Sequence, residues 1–425
     1  MSSFHARNPH SLLHGLAERQ QGGDGATFAD AFGGSPSVCQ RMRIMGVLYG
    51  HAGCVNTVRF SDTGKYLLTG SDDTRIMMWD AESLRRVQTL RTPHTGNIFC
   101  AYSLPNTNDT RIVSSAADGL VNLLDLEKGV TRSLAQHRGR AHNIALDPTS
   151  PSVFLTGGED GIIHQIDMRL SQPQQQLTRC MQDAGTELGI NRIALNPSLP
   201  TQLVVAGDSL TVRIYDRRRL GTYIALVPRA PADATSFFTP HVTCAVFDWT
   251  GAHVLASYSG SDVFLLDAKG GVVMEECKEP TSGGVEGELP DPTVQRYSGH
   301  TNVQTVKGVN FFGPRQEFVV SGSDCGHLFL WERDSGKLAQ VARGDSMGAI
   351  NCLEPHPRGF PVLATSGLDS EAKVWQPVAC QPGRQEEVVR RSAALGGSSV
   401  RELRTGMLLR RLAMQRALRA GREGA

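Results

Sequence analysis

Histidine and aspartate recur together in this chain at a spacing that could support proton transfer. An imidazole hydrogen-bonded to a carboxylate can act as a general acid or base near neutral pH. Three such pairs follow one another along the chain: His51/Asp73, His94/Asp118 and His137/Asp160. An active site is built once, whereas a pair that returns in successive segments of similar length belongs to the scaffold. We therefore expect these pairs to be structural.

The other residues that could carry catalysis are isolated. His164, His253 and His327 lie singly in strand-like segments, where a histidine is more often a structural residue than a ligand. The sequence contains no P-loop and no GxSxG, HExxH or CxxC motif. We predict that the protein is not an enzyme and that it has no catalytic residue, metal site or cofactor.

The three pairs are part of a repeat that recurs about seven times. In the first copy Gly50-His51 is followed by TGSDD at 69–73 and the copy closes at Trp79-Asp80. The weaker copies close at Leu124, Ile166, Tyr215, Leu266, Trp331 and Trp375. A period of roughly 40–45 residues with these ends resembles the WD40 family, in which each repeat forms a four-stranded blade. We predict an all-β, seven-bladed WD40 β-propeller with a short N-terminal helix and a basic C-terminal tail.

The resemblance also assigns roles within a blade. His51, Thr69, Asp73 and Trp79 match the positions that form a buried chain of hydrogen bonds in this family. Buried polar groups that satisfy one another make a blade rigid. The histidine is missing from blades 4 and 7, and Cys325 stands in blade 6 where blade 1 has an aspartate. We expect these three blades to be held mainly by packing.

The repeats divide the chain into three parts. Residues 1–41 form an N-terminal flank, 42–378 the propeller and 379–425 a basic tail. The segment MRIMGVL at 42–48 precedes the first Gly-His and should supply the outer strand of blade 7, which removes a free sheet edge. Two stretches depart from the repeat. We expect 221–240, which contains several prolines, to be irregular, and 270–293, rich in Gly, Pro and Glu, to be flexible.

The N-terminal flank contains a candidate docking helix. Asn8-Pro9 can begin a helix over about residues 8–20, with Leu12, Leu13 and Leu16 on one side. A helix this short is marginal alone in water. It should pack either on the propeller itself or in the groove of a partner.

The C-terminal flank is strongly basic. Residues 390–425 contain nine arginines and two glutamates, Glu402 and Glu423, which gives about +7. A basic amphipathic helix could bind an acidic protein, nucleic acid or a membrane surface. A solvated tail is an equal alternative, and both remain open.

The composition limits the class of protein. The net charge is +1, so nucleic-acid binding by the whole surface is not expected, and the tail is the one place where it could occur. No signal-peptide core and no run of membrane-spanning length is evident. Nine cysteines cannot all pair internally, which favours a reducing compartment. We predict a nuclear or cytoplasmic protein with no membrane partner.

Several stretches are more specific than the general repeat. They are GHAGCVNT at 50–57, VKGVNFFGP at 306–314, SGSDCGH at 321–327, NCLEPHP at 351–357 and ATSGLD at 364–369. Together they resemble the WD-repeat factors that associate with the damage-specific DNA-binding adaptor and cullin-4, closest to the eighth-numbered subfamily. Such factors are substrate receptors of a RING-type ubiquitin ligase, so the resemblance implies this adaptor, cullin-4 and an unidentified substrate protein as partners.

The resemblance also implies adaptor-binding residues. In this family an Asp-x-Arg sequence follows the closing position of a blade, and it occurs here as Asp167-Met168-Arg169 and Asp216-Arg217-Arg218. A short helix ahead of the propeller often enters the adaptor's cleft, which would make Leu12, Leu13 and Leu16 apolar anchors with Arg19 at the rim. The alternative function is a general WD40 interaction scaffold in chromatin or ribonucleoprotein assembly.

Overall fold

The computed structural model describes residues 33–182, 185–228, 240–276 and 290–379. Within these residues the chain forms one short helix, α1 (Pro36–Cys39), and seven antiparallel sheets. The predicted all-β, seven-bladed propeller is therefore confirmed. The candidate helix at 8–20 and residues 380–425 of the basic tail lie outside the described residues.

The strands of the first three blades follow chain order. Blade 1 contains β2 (Val55–Phe60), β3 (Tyr66–Ser71), β4 (Arg75–Asp80) and β5 (Arg86–Arg91). Blade 2 contains β6 (Ile98–Ser103), β7 (Arg111–Ala116), β8 (Leu120–Asp125) and β9 (Val130–Gln136). Blade 3 contains β10 (Ala141–Leu146), β11 (Val153–Gly158), β12 (Ile162–Asp167) and β13 (Gln174–Arg179).

The remaining blades depart from chain order at two places. Blade 4 contains β14 (Ile190–Leu195), β15 (Gln202–Gly207), β16 (Val212–Asp216), β17 (Arg219–Leu226) and β21 (Val272–Glu275). Blade 5 contains β18 (Val242–Phe247), β19 (His253–Tyr258), β20 (Val263–Asp267) and β22 (Thr293–Tyr297). Blade 6 contains β23 (Val309–Phe312), β24 (Phe318–Gly322), β25 (His327–Glu332) and β26 (Leu338–Arg343). Blade 7 contains β27 (Ile350–Pro355), β28 (Leu363–Gly367), β29 (Ala372–Pro377) and β1 (Met42–Leu48).

Seven apolar clusters hold the ring together, one between each pair of neighbouring blades. Between blades 1 and 2, for example, Leu68 and Ile76 pack on Ile98 and Ile112. Between blades 7 and 1, Val374 and the indole of Trp79 share a cluster. A four-stranded blade cannot cover both of its faces alone, so the apolar residues on both faces require a neighbour on each side.

The ring closes through both ends of the propeller. Strand β1 pairs antiparallel with β29, from Met42 opposite Pro377 to Leu48 opposite Ala372. The expected role of segment 42–48 as the outer strand of blade 7 is thus confirmed. Closure removes the free edge that an incomplete seventh blade would expose.

The two stretches expected to be irregular contain regular strands. Residues 221–226 belong to β17, and β21 returns from blade 5 to pair with β17 as a fifth strand of blade 4. The expectation of a flexible loop throughout 270–293 is therefore wrong for Val272–Glu275. Main-chain pairing orders this short segment even though Val273 is 69% exposed, because the edge of blade 4 supplies the partners that the segment lacks locally. Residues 229–239 and 277–289 are outside the described part.

The chain direction defines two faces of the propeller. The upper face contains the loops that lead into the first strand of each blade. The lower face contains the turns that follow the first and the third strand of each blade. His51 and Asp73 belong to the upper face, whereas the Asp-x-Arg sequences belong to turns of the lower face.

No helix in the described ranges is long and apolar enough to cross a membrane.

Candidate functional site on the lower face

The four residues assigned to the network of blade 1 form one chain of hydrogen bonds. His51 Nδ1 lies 2.9 Å from Asp73 Oδ2, and His51 Nε2 lies 2.8 Å from Thr69 Oγ1. The indole nitrogen of Trp79 donates to the same Thr69 oxygen at 2.9 Å. Burial lowers the pKa of His51, against the opposing effect of Asp73, so the ring is neutral at pH 7. The polar atoms of this network are thus hydrogen-bonded to one another within the blade, as in a structural network.

The same arrangement returns in the next two blades. His94 pairs with Asp118 and Ser114, and His137 pairs with Asp160 and Thr156. His164, one of the isolated histidines, packs its ring 4.7 Å from that of His137 in the interior. Burial, reinforced by His137, lowers its pKa to about 4. These features are typical of a structural residue.

Blades 4, 6 and 7 contain buried charges in place of the histidine network. In blade 7, Lys373 Nζ lies 2.9 Å from Asp345 and 2.6 Å from Asp369. In blade 6, Lys307 pairs with Asp324, and both side chains are fully buried. These blades also pack on large apolar clusters, so the expectation that packing mainly holds them stays a prediction, to which the buried charges are an addition. A charged pair can replace the histidine network because each buried charge finds its counter-ion inside the same blade.

In blade 4 the buried charge is Arg213 of β16, which links this strand to the end of the fifth strand, β21. The Arg213 side chain is fully buried, and its guanidinium lies 3.5 Å from the Glu276 carboxylate. The Tyr215 hydroxyl donates to the same carboxylate. Glu276 directly follows β21, so this ion pair fixes the end of the fifth strand.

The two predicted Asp-x-Arg sequences adopt the same geometry on neighbouring blades. Arg169 donates from Nε and Nη2 to Asp167 at 2.8 and 2.6 Å. Arg218 donates to Asp216 in the same way at 2.9 and 2.7 Å. The hydrogen bonds from Arg169 hold the pKa of Asp167 at about 2, and those from Arg218 do the same for Asp216.

The two guanidinium groups are held in place but face solvent. The Arg169 side chain is 65% exposed and that of Arg218 is 69% exposed. Each fork has five N–H donors, of which the aspartate takes two. The remaining three have no partner in the described part of the chain, so each arginine presents a pre-oriented set of donors to a partner.

The middle residue of the second sequence has a different role that the motif did not predict. Arg217 turns inward and donates to Asp147 of blade 3 at 2.8 Å and to Gln165 at 2.8 Å. In blade 6, Arg333 at the same position donates to Asp248 of blade 5 at 2.7 Å. In blades 4 and 6 the residue after the closing aspartate or glutamate therefore braces the blade against the preceding one.

The outward-facing position has a charge pattern around the lower face. It is occupied by Glu82 in blade 1, Glu127 in blade 2, Arg169 in blade 3, Arg218 in blade 4, Lys269 in blade 5 and Asp334 in blade 6. The three basic residues occupy consecutive blades. Lys269 follows Asp267 in the same kind of turn, with its amide donating to the carboxylate at 2.9 Å. It was missed because the sequence motif specifies arginine.

Exposed apolar side chains accompany these basic residues. Leu170 is 52% exposed, Leu199 45% and Trp249 61%. The backbone of Trp249 is fixed on both sides, since its carbonyl accepts from Ser198 of blade 4 and its amide donates to Gln316 of blade 6. We call the surface formed by Arg169, Arg218, Lys269, Leu170, Leu199 and Trp249 the lower arc.

Some predicted site residues are outside the described part of the chain. They are Leu12, Leu13, Leu16 and Arg19, so the structure does not relate these four residues to the lower arc. Among the described residues no group of histidine, cysteine and carboxylate side chains is arranged to hold a metal ion.

Comparison with known proteins identifies the repeat and a set of relatives. The WD domain, G-beta repeat family matches residues 42–80 and 292–332. The chain is 33% identical over 310 residues to "DDB1- and CUL4-associated factor 6" of Homo sapiens, which covers 68% of this chain and 35% of that protein. It is 30% identical over 292 residues to "Protein ALTERED SEED GERMINATION 2" of Arabidopsis thaliana, covering 59% and 39%.

A third relative, "WD and tetratricopeptide repeats protein 1" of Mus musculus, is 30% identical over 201 residues, covering 47% of this chain and 30% of that protein. The chain thus spans about a third of the length of the curated relatives it matches. The similarity supports a distant relationship to the sixth-numbered factor and not specifically to the eighth-numbered subfamily.

Proposed function

We propose that this chain, which is a WD40-repeat protein, is a non-catalytic substrate-recognition subunit of a cullin-4 RING ubiquitin ligase. The observation that carries the proposal is the lower arc, two matched arginine forks and an exposed tryptophan on consecutive blades. The printed name of the relative in Homo sapiens associates that protein with the same adaptor and cullin. The proposed partners are the damage-specific DNA-binding adaptor, cullin-4 and a target protein.

The lower arc has the chemistry of a protein-binding surface. Arginine and tryptophan are enriched among the residues that dominate binding energies at interfaces. The aspartate beside each arginine restricts the guanidinium before binding, which lowers the entropy lost when a partner docks. The two backbone hydrogen bonds of Trp249 likewise restrict the position of its indole before a partner binds.

The mechanism we propose is proximity. A receptor that holds its target near a ubiquitin-loaded enzyme raises the effective concentration of the target's lysine nucleophile. No residue of this chain takes part in bond making. The target would be bound by surfaces that the adaptor leaves free.

The test is a binding measurement between the purified full chain and the purified adaptor. We expect the Arg169→Ala/Arg218→Ala variant and the Trp249→Ala variant each to weaken binding at least tenfold, which is about 1.4 kcal/mol. Exposed ion pairs contribute little to folding, and the Trp249 side chain is mostly exposed, so the Tm of both variants should match the wild type. A variant lacking residues 8–20 tests the helix separately.

A matched control removes two exposed arginines from the upper face. Arg138 and Arg179 both pair with Glu187 there, and the Arg138→Ala/Arg179→Ala variant should bind the adaptor as wild type does. If binding survives the lower-face changes, the chain docks through another surface. If the folded wild type does not bind the adaptor at all, the ligase proposal is wrong and the scaffold alternative takes its place.

A further inference from the structure

Two arginines that are not part of the lower arc lie on strands that line the central channel of the propeller. The first strands of the seven blades line this channel, and Arg59 (β2) and Arg192 (β14) both lie on such strands. The charge of each guanidinium acts on the Tyr102 hydroxyl and the Cys100 thiol of blade 2. Both arginines therefore influence groups of blade 2, although Arg59 belongs to blade 1 and Arg192 to blade 4.

Arg59 is almost completely buried and has one counter-ion. It is 5% exposed, it pairs with Glu354 of blade 7, and its guanidinium lies 5.1 Å from the centre of the Tyr102 ring. Its Nε atom is buried and has no hydrogen-bond partner. The pair with Glu354 therefore leaves part of the Arg59 fork unused.

Arg192 has no counter-ion among the described residues. The residue is partly buried, its Nε atom is buried without a hydrogen-bond partner, and its side chain forms no ion pair with the described part of the chain. Burial raises the pKa of Tyr102 to about 12 and also raises that of Cys100, so neither group supplies a negative charge at neutral pH. Glu354 compensates Arg59, whereas no carboxylate among the described residues pairs with Arg192.

An unpaired charge inside a protein is costly unless a ligand of opposite charge compensates it. A guanidinium matches the geometry of a carboxylate or phosphate, because two parallel N–H groups can donate to two oxygens. We propose that Arg192, together with the unused donors of Arg59 and the Tyr102 hydroxyl, binds a small oxyanion of phosphate or carboxylate type in the central channel. This site is separate from the lower arc and does not depend on the ligase proposal.

Carboxylates surround the upper mouth of the channel. Asp72, Glu159 and Asp208 occupy the same turn position in blades 1, 3 and 4. Each carboxylate pairs with a residue near the start of a first strand: Asp72 with Asn56 at 2.7 Å, Glu159 with His142 at 3.4 Å and Asp208 with Asn191 at 3.3 Å. These carboxylates repel anions that approach from above, so a polyanion such as nucleic acid is excluded there.

The test measures anion binding by the full chain at constant ionic strength. Inorganic phosphate and acetate are titrated separately by calorimetry, with chloride as the ionic-strength control. We expect saturable binding of at least one of the two oxyanions. Phosphate alone identifies a phosphate site, acetate alone a carboxylate site, and both together a general oxyanion site. Saturable binding of neither one would overturn the proposal.

The variant Arg192→Gln removes the unpaired charge, and Arg138→Gln removes an exposed arginine of the upper face as a matched control. Arg192→Gln should weaken oxyanion binding at least tenfold, while Arg138→Gln should bind as wild type. Equal binding by Arg192→Gln and wild type would overturn the proposal.

Thermal unfolding separates loss of binding from loss of the fold. A ligand at one hundred times its Kd should raise the Tm of the wild type by about 4 °C. In buffer without phosphate or acetate, Arg192→Gln should unfold at the wild-type temperature or above, because a neutral side chain has no charge to compensate. A lower Tm in that buffer would mean that Arg192 has a partner within the fold, which contradicts the site.

Discussion

Replacing Lys373 with methionine should destabilise the propeller through two carboxylates of blade 7. Lys373 Nζ lies 2.9 Å from Asp345 and 2.6 Å from Asp369, and its side chain is 4% exposed. Methionine preserves the apolar stem but removes the ammonium, so both buried carboxylates lose their cation. Breaking a buried pair by removing one partner costs about 3–5 kcal/mol.

The expected change in Tm follows from the size of the domain. An unfolding entropy of about 2.1 cal/mol/K per residue gives about 0.7 kcal/mol/K for about 320 residues. The loss of 3–5 kcal/mol then corresponds to a Tm lower by about 4–7 °C, measurable by differential scanning calorimetry. The control Lys337→Met changes an exposed lysine in a turn and should alter stability by less than about 0.5 kcal/mol.

The pH dependence identifies the carboxylates as the cause. Burial raises the pKa of Asp345 in the wild type, and Lys373 opposes this rise. Without Lys373 the pKa should rise further. A folded-state pKa above the unfolded value favours folding at low pH, and this advantage is lost as the pH rises through the folded pKa. The loss of stability of Lys373→Met relative to wild type should therefore be largest at pH 7–8 and become smaller toward pH 5.

Two outcomes would refute this reasoning. A Tm at pH 7 equal to or above that of the wild type would mean that the ion cluster does not stabilise blade 7. A deficit that stays the same at pH 5 would mean that the uncompensated carboxylates are not its cause. Adding Asp345→Asn to Lys373→Met should recover part of the lost stability, because the amide removes one of the two charges.

Three further changes test other parts of the ring. Asp160→Asn should lower the free energy of unfolding by about 1–3 kcal/mol at pH 7. Burial raises the pKa of Asp160, but its hydrogen bonds outweigh burial and lower the pKa to about 2. The stability difference between wild type and variant, followed by thermal unfolding, should therefore disappear as the pH falls toward 2. Glu276→Ala should speed hydrogen exchange of the β21 amides, measured by mass spectrometry, because the end of the strand loses its ion pair with Arg213. Gly64→Ala should cost about 1–3 kcal/mol in denaturant unfolding, since Gly64 has φ +75° and a Cβ there would lie 2.4 Å from His356.

The parts of the fold that repeat could be predicted from the sequence. The His51 network recurs in three successive blades and a closing position recurs in all seven, so each copy supports the others. The outer strand at 42–48 was predictable because a ring of blades lacks one strand without it. The exposed position of Arg169 and Arg218 is consistent with their motif, although their binding role remains a prediction.

The features that occur once could not be predicted. Strand β21 has only four residues, and its partner β17 lies nearly fifty residues earlier, so no local pattern indicates the pairing. The inward turn of Arg217 depends on Asp147 of another blade. The unpaired state of Arg192 depends on the absence of a carboxylate across the channel, and a single sequence contains no signal for that.

The fifth strand of blade 4 has a consequence for the order in which the protein assembles during synthesis. Most blades have all their strands soon after their last residue leaves the ribosome. Blade 4 must wait until β20 of blade 5 has been made, because β21 follows β20 in the chain. The chain then returns to blade 5 to add β22. Blade 4 is therefore completed while blade 5 still lacks its last strand. We infer that blades 4 and 5 mature as one cooperative unit, while the rest of the ring grows blade by blade.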